Sequence, residues 1–233
     1  MIERVVVTGA SGGVGSACVE AFQKLGAEVV GIDIRPGSGA DDHLTIDVAG
    51  SECGRLLLEH LGGKSVDVLV NNAAVGHVQP AVETSAEDFD AIVAVNLRAP
   101  FLLASALRPK LRERSGSVVN VSSVHAVATS SPVSVYAATK GGLVAMTKAL
   151  ALEWAPEIRV NCALPGAVDT EMLSEGLKRA GVDLETFGSS LASGRVGQPA
   201  EIADAIVFLA TNRYLTGASL IIDGGATARL STE

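Results

Sequence analysis

Short runs of valine, isoleucine and leucine recur along the whole chain, and each is followed by a longer stretch with helical spacing. The runs fall at about Ile2–Val7, Glu28–Asp33, His43–Asp47, Val66–Asn71, Gly116–Ser122, Ile158–Leu164 and Ser219–Ile222. Most lack the polar-apolar alternation of a half-exposed strand, so both faces of such a strand have to be covered. Parallel sheets with helices on both sides impose that requirement. Helical patterns near Gly13–Leu25, Ser51–Leu61, Ser85–Arg114, Ser134–Trp154 and Ala200–Thr211 supply the cover. Strand-helix repetition therefore predicts an α/β fold, a doubly wound parallel sheet of about seven strands with helices on both faces. There is no internal repeat, low-complexity tract or linker to divide the 233 residues, so a single domain over residues 1–233 is expected.

The first strand-helix junction reads Thr8-Gly9-Ala10-Ser11-Gly12-Gly13-Val14-Gly15. Glycines there let the backbone turn tightly and approach a pyrophosphate, whose charge then sits at a helix N-terminus. This makes the fold Rossmann-like. The second strand ends at Asp33, about 20 residues after the glycines. A carboxylate at that place accepts from both hydroxyls of an adenosine ribose and repels a 2′-phosphate. Asp47-Val48 and Asn71-Asn72-Ala73-Ala74 close the next two strands, at the sheet end where ligands bind in open α/β folds. Between Arg35 and Asp42 the chain is rich in Pro, Gly and Asp, with little room for a helix.

The segment Asn120–Lys148 carries the reactive side chains. A serine pair, Ser122-Ser123, ends an apolar run, and a helix then carries Tyr136 and Lys140. Residues at i and i+4 lie on one helix face. An ammonium held near a phenol favours the phenolate, whose pKa is normally about 10. Bringing it near 7 takes roughly 3 units, or about 4 kcal/mol. That is the tuning a general acid/base needs. Asn96 lies mid-helix among Ala, Val and Leu, where a buried amide is costly unless partnered. Residues 167–195, after the Pro165-Gly166 break, mix helical and loop signals and form a candidate lid over a substrate pocket.

Charge and composition exclude other classes. The formal net charge of −8 disfavours a protein that tracks nucleic-acid phosphates. No 18-residue run is uninterruptedly apolar, and the start of the chain lacks a basic segment, so neither a membrane span nor a signal peptide is expected. Three scattered cysteines and four scattered histidines show no metal-ligand spacing, and reduced thiols suit a cytoplasmic protein.

Taken together and in order, these motifs resemble the short-chain dehydrogenase/reductase family, in an NAD-preferring branch with a shortened segment after the second strand. They are TGASGGVG, Asp33, Asp47-Val48, NNAA at Asn71–Ala74, Asn96, Ser123, YAATK at Tyr136–Lys140, Pro165-Gly166 and Asp223–Gly225. The family's usual NNAG is NNAA here. The resemblance implies Ser123 as the catalytic serine, since it precedes Tyr136 by the family's usual separation. It implies Tyr136 as acid/base, Lys140 as the group that lowers its pKa and holds the nicotinamide ribose, and Asn96 as anchor of a proton-relaying water. The cofactor would be held by Gly9, Ser11, Gly12, Gly13, Val14 and Gly15 at the pyrophosphate, and by Asp33 and Ile34 at the adenosine ribose. Asp47, Val48, Asn72, Ala73 and Ala74 would line the adenosine side, and Pro165, Gly166, Val168 and Thr170 the carboxamide end. By position, His77, His125, Val133, Met172 and Leu173 would line the substrate pocket.

The activity so implied is NAD-dependent interconversion of a secondary alcohol and a ketone, with NADP the less favoured cofactor because Gly12 and Ile34 are uncharged. A homo-oligomer, most simply a tetramer, is expected. The rival readings are an NADPH-dependent reductase of carrier-bound 3-oxoacyl groups and a dinucleotide-sensing regulator without turnover. The second of these has no need of the Ser/Tyr/Lys set.

Overall fold

A computed structural model describes residues 2–228 of the chain, so residue 1 and residues 229–233 of the expected single domain lie outside the described residues. The strands are β1 (Arg4–Thr8), β2 (Glu28–Asp33), β3 (Asp42–Thr45), β4 (Val68–Asn71), β5 (Ser117–Val121), β6 (Arg159–Pro165) and β7 (Ser219–Ile222). They form a seven-stranded sheet in the order β3-β2-β1-β4-β5-β6-β7, with every pairing parallel. The chain runs outward from β1 through β2 to β3, then returns to lay β4 on the other side of β1. That reversal opens a crevice above the C-terminal ends of β1 and β4, where ligands bind in such sheets.

The helices are α1 (Gly13–Lys24), α2 (Cys53–Leu61), α3 (Ala86–Val93), α4 (Ala99–Arg112), α5 (Ser134–Trp154), α6 (Glu171–Ala180), α7 (Leu184–Ser189) and α8 (Pro199–Thr211). Strand β1 shows why both sheet faces must be apolar. Val6 packs into a core with Leu57 of α2, Leu107 and Leu111 of α4, and Leu150 and Trp154 of α5. Its neighbours Val5 and Val7 pack on the opposite face with Val19 and Phe22 of α1 and Ile202, Ile206 and Leu209 of α8. Each fully buried aliphatic or aromatic side chain of this kind contributes about 1.5–3 kcal/mol.

Three expectations need correction. The first strand begins at Arg4 rather than Ile2, because the Glu3 and Arg4 amides both donate to Asp67 Oδ2 at 2.9 Å instead of to a neighbouring strand. The third strand is Asp42–Thr45, shifted from His43–Asp47. The long helix expected over Ser85–Arg114 is divided by a π-helical segment, Ala94–Arg98, with Asn96 at its centre. Its whole span, Ala86–Arg112, is 27 residues and contains an 18-residue stretch of mean hydropathy 1.4, long and apolar enough to cross a membrane by length and composition. Here Leu103, Leu107 and Leu111 of that span are spent on the sheet. As expected, Arg35 to Asp42 carries no helix, and Ser38 lies so close over Gly31 that a Cβ on that glycine would sit 2.4 Å from the Ser38 hydroxyl.

Candidate active site

The glycine loop is built against the end of β4. Gly9 takes φ +65°, and a Cβ there would lie 2.9 Å from Ala73 Cα, so only glycine lets the two strand ends meet this closely. Thr8 Oγ1 accepts from the Asn72 and Ala73 amides at 2.9 and 3.0 Å, and Asn72 Nδ2 donates to the Thr8 and Gly9 carbonyl oxygens at 3.0 and 3.2 Å. Asn72 is thus the brace that sets the loop's height above the sheet. Helix α1 then starts at Gly13 with Gly12 as its N-cap, no side-chain cap and no acidic residue in its first turn. Uncapped first-turn amides at the positive end of a helix fit a pyrophosphate.

Asp33 ends β2 nearly buried, at 7% exposure. Its Oδ2 accepts from the Ser11 amide and its Oδ1 from the Arg35 amide, both at 3.0 Å. The carboxylate is thereby fixed beside the glycine loop. Ile34 is exposed and Val48 buried. Asp47 Oδ1 accepts from the Ala49 amide at 2.8 Å, a turn-forming bond that holds the loop after β3. On the far side of the groove, Gly166 follows β6 with Asp223 so close that a Cβ would meet it at 2.8 Å. Val168 is buried and bridges to Gly197. Thr170 caps α6, its Oγ1 accepting from the Leu173 amide at 3.4 Å and donating to the Val168 carbonyl oxygen at 3.2 Å.

The reactive side chains gather at the end of β5. Ser122 Oγ donates to the Lys140 carbonyl oxygen at 2.8 Å, so the first serine of the pair is spent on the helix backbone. Ser123 stands in extended backbone at the N-cap of a short 3₁₀ turn, its Oγ accepting from the His125 amide at 3.2 Å. Burial pushes the Tyr136 phenol above its ordinary value of 10, and the neighbouring Ser123 hydroxyl pulls the other way. Lys140 is buried; its Nζ donates to the Val121 carbonyl oxygen at 2.9 Å and lies 5.5 Å from the Tyr136 ring centre. Loss of water holds its ammonium down at about 8. Burial outweighs any help from Lys140, so the phenol is not lowered in this arrangement as the resemblance led one to expect. The three side chains are nonetheless brought together.

Asn96 is fully buried. Its Oδ1 accepts from the Val75 amide and its Nδ2 donates to the Val75 carbonyl oxygen, each at 2.9 Å, with Thr139 Oγ1 at 3.4 Å from Nδ2. The amide side chain is therefore saturated, and what Asn96 has to offer a relay is its backbone in the π-helical turn.

The pocket candidates divide. His125 sets its ring edge-on to Tyr136 at 5.8 Å, with Nδ1 3.0 Å from Thr129 Oγ1, and its burial lowers its pKa. Met172 reaches over Gly76, whose Cβ would lie 3.6 Å from Met172 Cγ. His77 turns to Thr84 Oγ1 at 3.2 Å. Val133 and Leu173 are half-buried at the start of α5 and in the first turn of α6. Sequence reasoning missed a buried polar chain beneath the site. Asn71 Nδ2 donates to Asn120 Oδ1 and Asn120 Nδ2 to Thr147 Oγ1, both at 2.9 Å, tying β4, β5 and α5 together. An asparagine inside the apolar run of β5 was its only sequence signal.

A family model described as enoyl-(acyl carrier protein) reductase matches residues 9–227. The chain belongs to the short-chain dehydrogenase/reductase family. An uncharacterized short-chain type dehydrogenase/reductase of Sinorhizobium fredii is 38% identical over 95% of this chain, which spans 43% of that relative. The 3-oxoacyl-(acyl-carrier-protein) reductase FabG of Chlamydia pneumoniae is 33% identical, with 97% of each chain covered. Among solved structures, the ligand-free aldohexose dehydrogenase of Thermoplasma acidophilum superposes with a TM-score of 0.94 at 30% identity, covering 99% of this chain and 96% of that one. Short-chain dehydrogenases/reductases are oxidoreductases that act on CH–OH donors with NAD(H) or NADP(H). The glycine cradle and the uncapped helix start fit the dinucleotide part of either.

Proposed function

We propose that this protein is an NAD-dependent oxidoreductase that interconverts a secondary alcohol and a ketone, with Tyr136 as its acid/base. The observation that carries the reading is the convergence of Ser123, Tyr136 and Lys140 near the end of β5. When bound, the nicotinamide would accept or deliver the hydride at the carbinol carbon. Ser123 Oγ would hold the substrate oxygen, and Tyr136 would take the hydroxyl proton during oxidation and return it during reduction. Lys140, with its ammonium one helical turn away, would stabilise the phenolate as it forms. Asn96 would place its backbone carbonyl toward a water on the path to Lys140.

Asp33 supports NAD as the cofactor. A 2′-phosphate beside it would set like charges within a few ångströms, at a cost of about 1 kcal/mol in water and several where partly buried. NAD is therefore preferred by at least about tenfold, each 1.4 kcal/mol being a factor of ten. His125, Val133, Met172 and Leu173 would line the substrate pocket under the α6–α7 lid, with His77 at its rim. The protein would work in the cytoplasm as a homotetramer. One observation favours a second reading, NADPH-dependent reduction of carrier-bound 3-oxoacyl groups: the Arg35 guanidinium lies 3.6 Å from Asp33, where it could meet a phosphate.

A panel of secondary alcohols, aldoses, ketones and 3-oxoacyl thioesters, each scored by nicotinamide absorbance with both cofactors, tests the assignment. Turnover of alcohols with NAD at ten times the kcat/KM seen with NADP is expected. Comparable values for the two cofactors would hand the role to Arg35 and the second reading.

A further inference from the structure

The mouth of the cofactor groove holds an ion pair that neither the proton chemistry nor the sheet requires. Arg35 Nη1 lies 3.2 Å from Glu171 Oε2, two residues that are 136 apart in sequence. Both backbones are pinned where they stand. The Arg35 amide donates to Asp33 Oδ1 at 3.0 Å and its carbonyl oxygen lies 3.0 Å from His43 Nε2. Glu171 opens α6 directly after the capping Thr170, whose methyl sits so close to the glycine loop that a Cβ on Gly13 would meet it at 2.8 Å. The start of α6 is thus seated on the pyrophosphate loop, and Glu171 faces Arg35 across it. The guanidinium itself lies over the loop, with Nη2 3.9 Å from where a Cβ of Gly12 would stand.

Arg35 therefore stands between two carboxylates. Its Nε is 3.6 Å from Asp33 Oδ1, too long for a hydrogen bond, while Glu171 is in hydrogen-bond range. A phosphate arriving on the ribose beside Asp33 would need this cation and would have to take it from Glu171.

We propose that Glu171 is a specificity-determining residue of the cofactor site: by holding the Arg35 guanidinium it withholds from an adenosine 2′-phosphate the cation beside Asp33. This rests on the reading that Asp33 faces the adenosine ribose. The pair is solvent-exposed, with the Glu171 side chain 75% accessible, so the effect is a modest one.

Titration calorimetry of the cofactor-free protein with NAD⁺ and with NADP⁺ tests this without a known substrate. Glu171→Gln should tighten NADP⁺ by about threefold, an exposed ion pair's usual worth, and leave NAD⁺ nearly unchanged. The gain should shrink at high salt. Arg35→Ala in the Glu171→Gln background should abolish it, whereas Arg35→Ala alone should change little. An NADP⁺ affinity unmoved by Glu171→Gln, or both cofactors tightened alike, overturns the proposal. So does a gain that survives in the double variant, since it would come from lost negative charge rather than a freed guanidinium. The ribose reading fails separately, if Asp33→Ala does not weaken NAD⁺.

Discussion

Lys140 Nζ lies 5.5 Å from the centre of the Tyr136 ring but gives its hydrogen bond to the Val121 carbonyl oxygen at 2.9 Å. The phenol is left with burial pushing its pKa above 10 and Ser123 alone opposing it. Removing the hydroxyl should accordingly cost chemistry and little else. Tyr136→Phe should bind NADH as the wild type does while turnover falls by about 10²–10⁴-fold, the usual contribution of a general acid/base. Retention of more than about a tenth of the wild-type rate would take Tyr136 out of the mechanism. An ultraviolet titration in a Tyr214→Phe background, which leaves Tyr136 the sole phenol of the chain, should show ionisation above pH 10.

The same burial makes Lys140 a stability liability with a definite pH signature. An unfolded lysine keeps its proton to 10.5, whereas the folded ammonium gives it up at about 8. Between those values the unfolded chain binds more protons, so this residue's penalty is full below pH 8 and fades as pH rises toward 10.5. The penalty is on the order of 3 kcal/mol, from a shift of about 2.5 units at 1.36 kcal/mol each. Lys140→Met also strips the Val121 carbonyl of its donor, which returns about 1 kcal/mol. Urea denaturation should find the Lys140→Met variant more stable than wild type by about 1–2 kcal/mol at pH 7. Its advantage should be nearly gone at pH 10. A variant less stable at pH 7 by a pH-independent amount would show that packing, not buried charge, decides this position.

The sheet was legible because each strand, apolar on both faces, announces its own burial. Strand ends were not, since they depend on distant partners. Val66 reads as strand, but its amide donates to the Lys110 carbonyl oxygen at the end of α4 rather than to β1. The π-helical turn at Asn96 leaves no mark on the apolar spacing; only the misplaced amide hinted at it, and its partner Val75 is 21 residues away. At the site, spacing and resemblance singled out Ser123, Tyr136 and Lys140, and the fold brings these three side chains together. Which carbonyl Lys140 would find was not, because Val121 belongs to another element. The Arg35–Glu171 pair joins the turn after β2 to the start of α6 and has no local signal at all.

Gly15 offers a test of the loop's geometry. A Cβ there would fall 1.9 Å from the Gly9 carbonyl oxygen and 2.7 Å from its carbon, so the backbone itself must move. Gly15→Ala should destabilise by about 1–3 kcal/mol, the usual range for overpacking, and weaken NAD⁺ binding with it. Gly176, in α6, has nothing within 4 Å of its Cβ position, so Gly176→Ala should instead add up to about 1 kcal/mol from helix propensity. Thermal melts of the two variants, recorded with and without NAD⁺, separate these outcomes. An unperturbed Gly15→Ala would mean that the loop can shift to admit a methyl group without loss.

The surface over α3, α4 and α5 points to assembly. Phe89 of α3, Phe101 and Leu102 of α4 and Leu152 of α5 are all exposed, Leu152 at 83%. Phe89 also borders a shallow hollow of about 570 Å³ that reaches from α3 to the start of α5, where Ala86, Val135 and Ala138 are interleaved with Ser85, Asp90 and Ser134. Large exposed apolar patches on a folded chain mark interaction sites. Identical chains bury such a face most simply about a two-fold axis, and two such axes give a tetramer. Sedimentation at micromolar concentration should show a species of four chains. Leu152→Asp should shift it toward smaller species, because closing the face would bury the new carboxylate. A wild-type protein that sediments as a single chain would show that these helices are left to solvent and remove the basis for the tetramer.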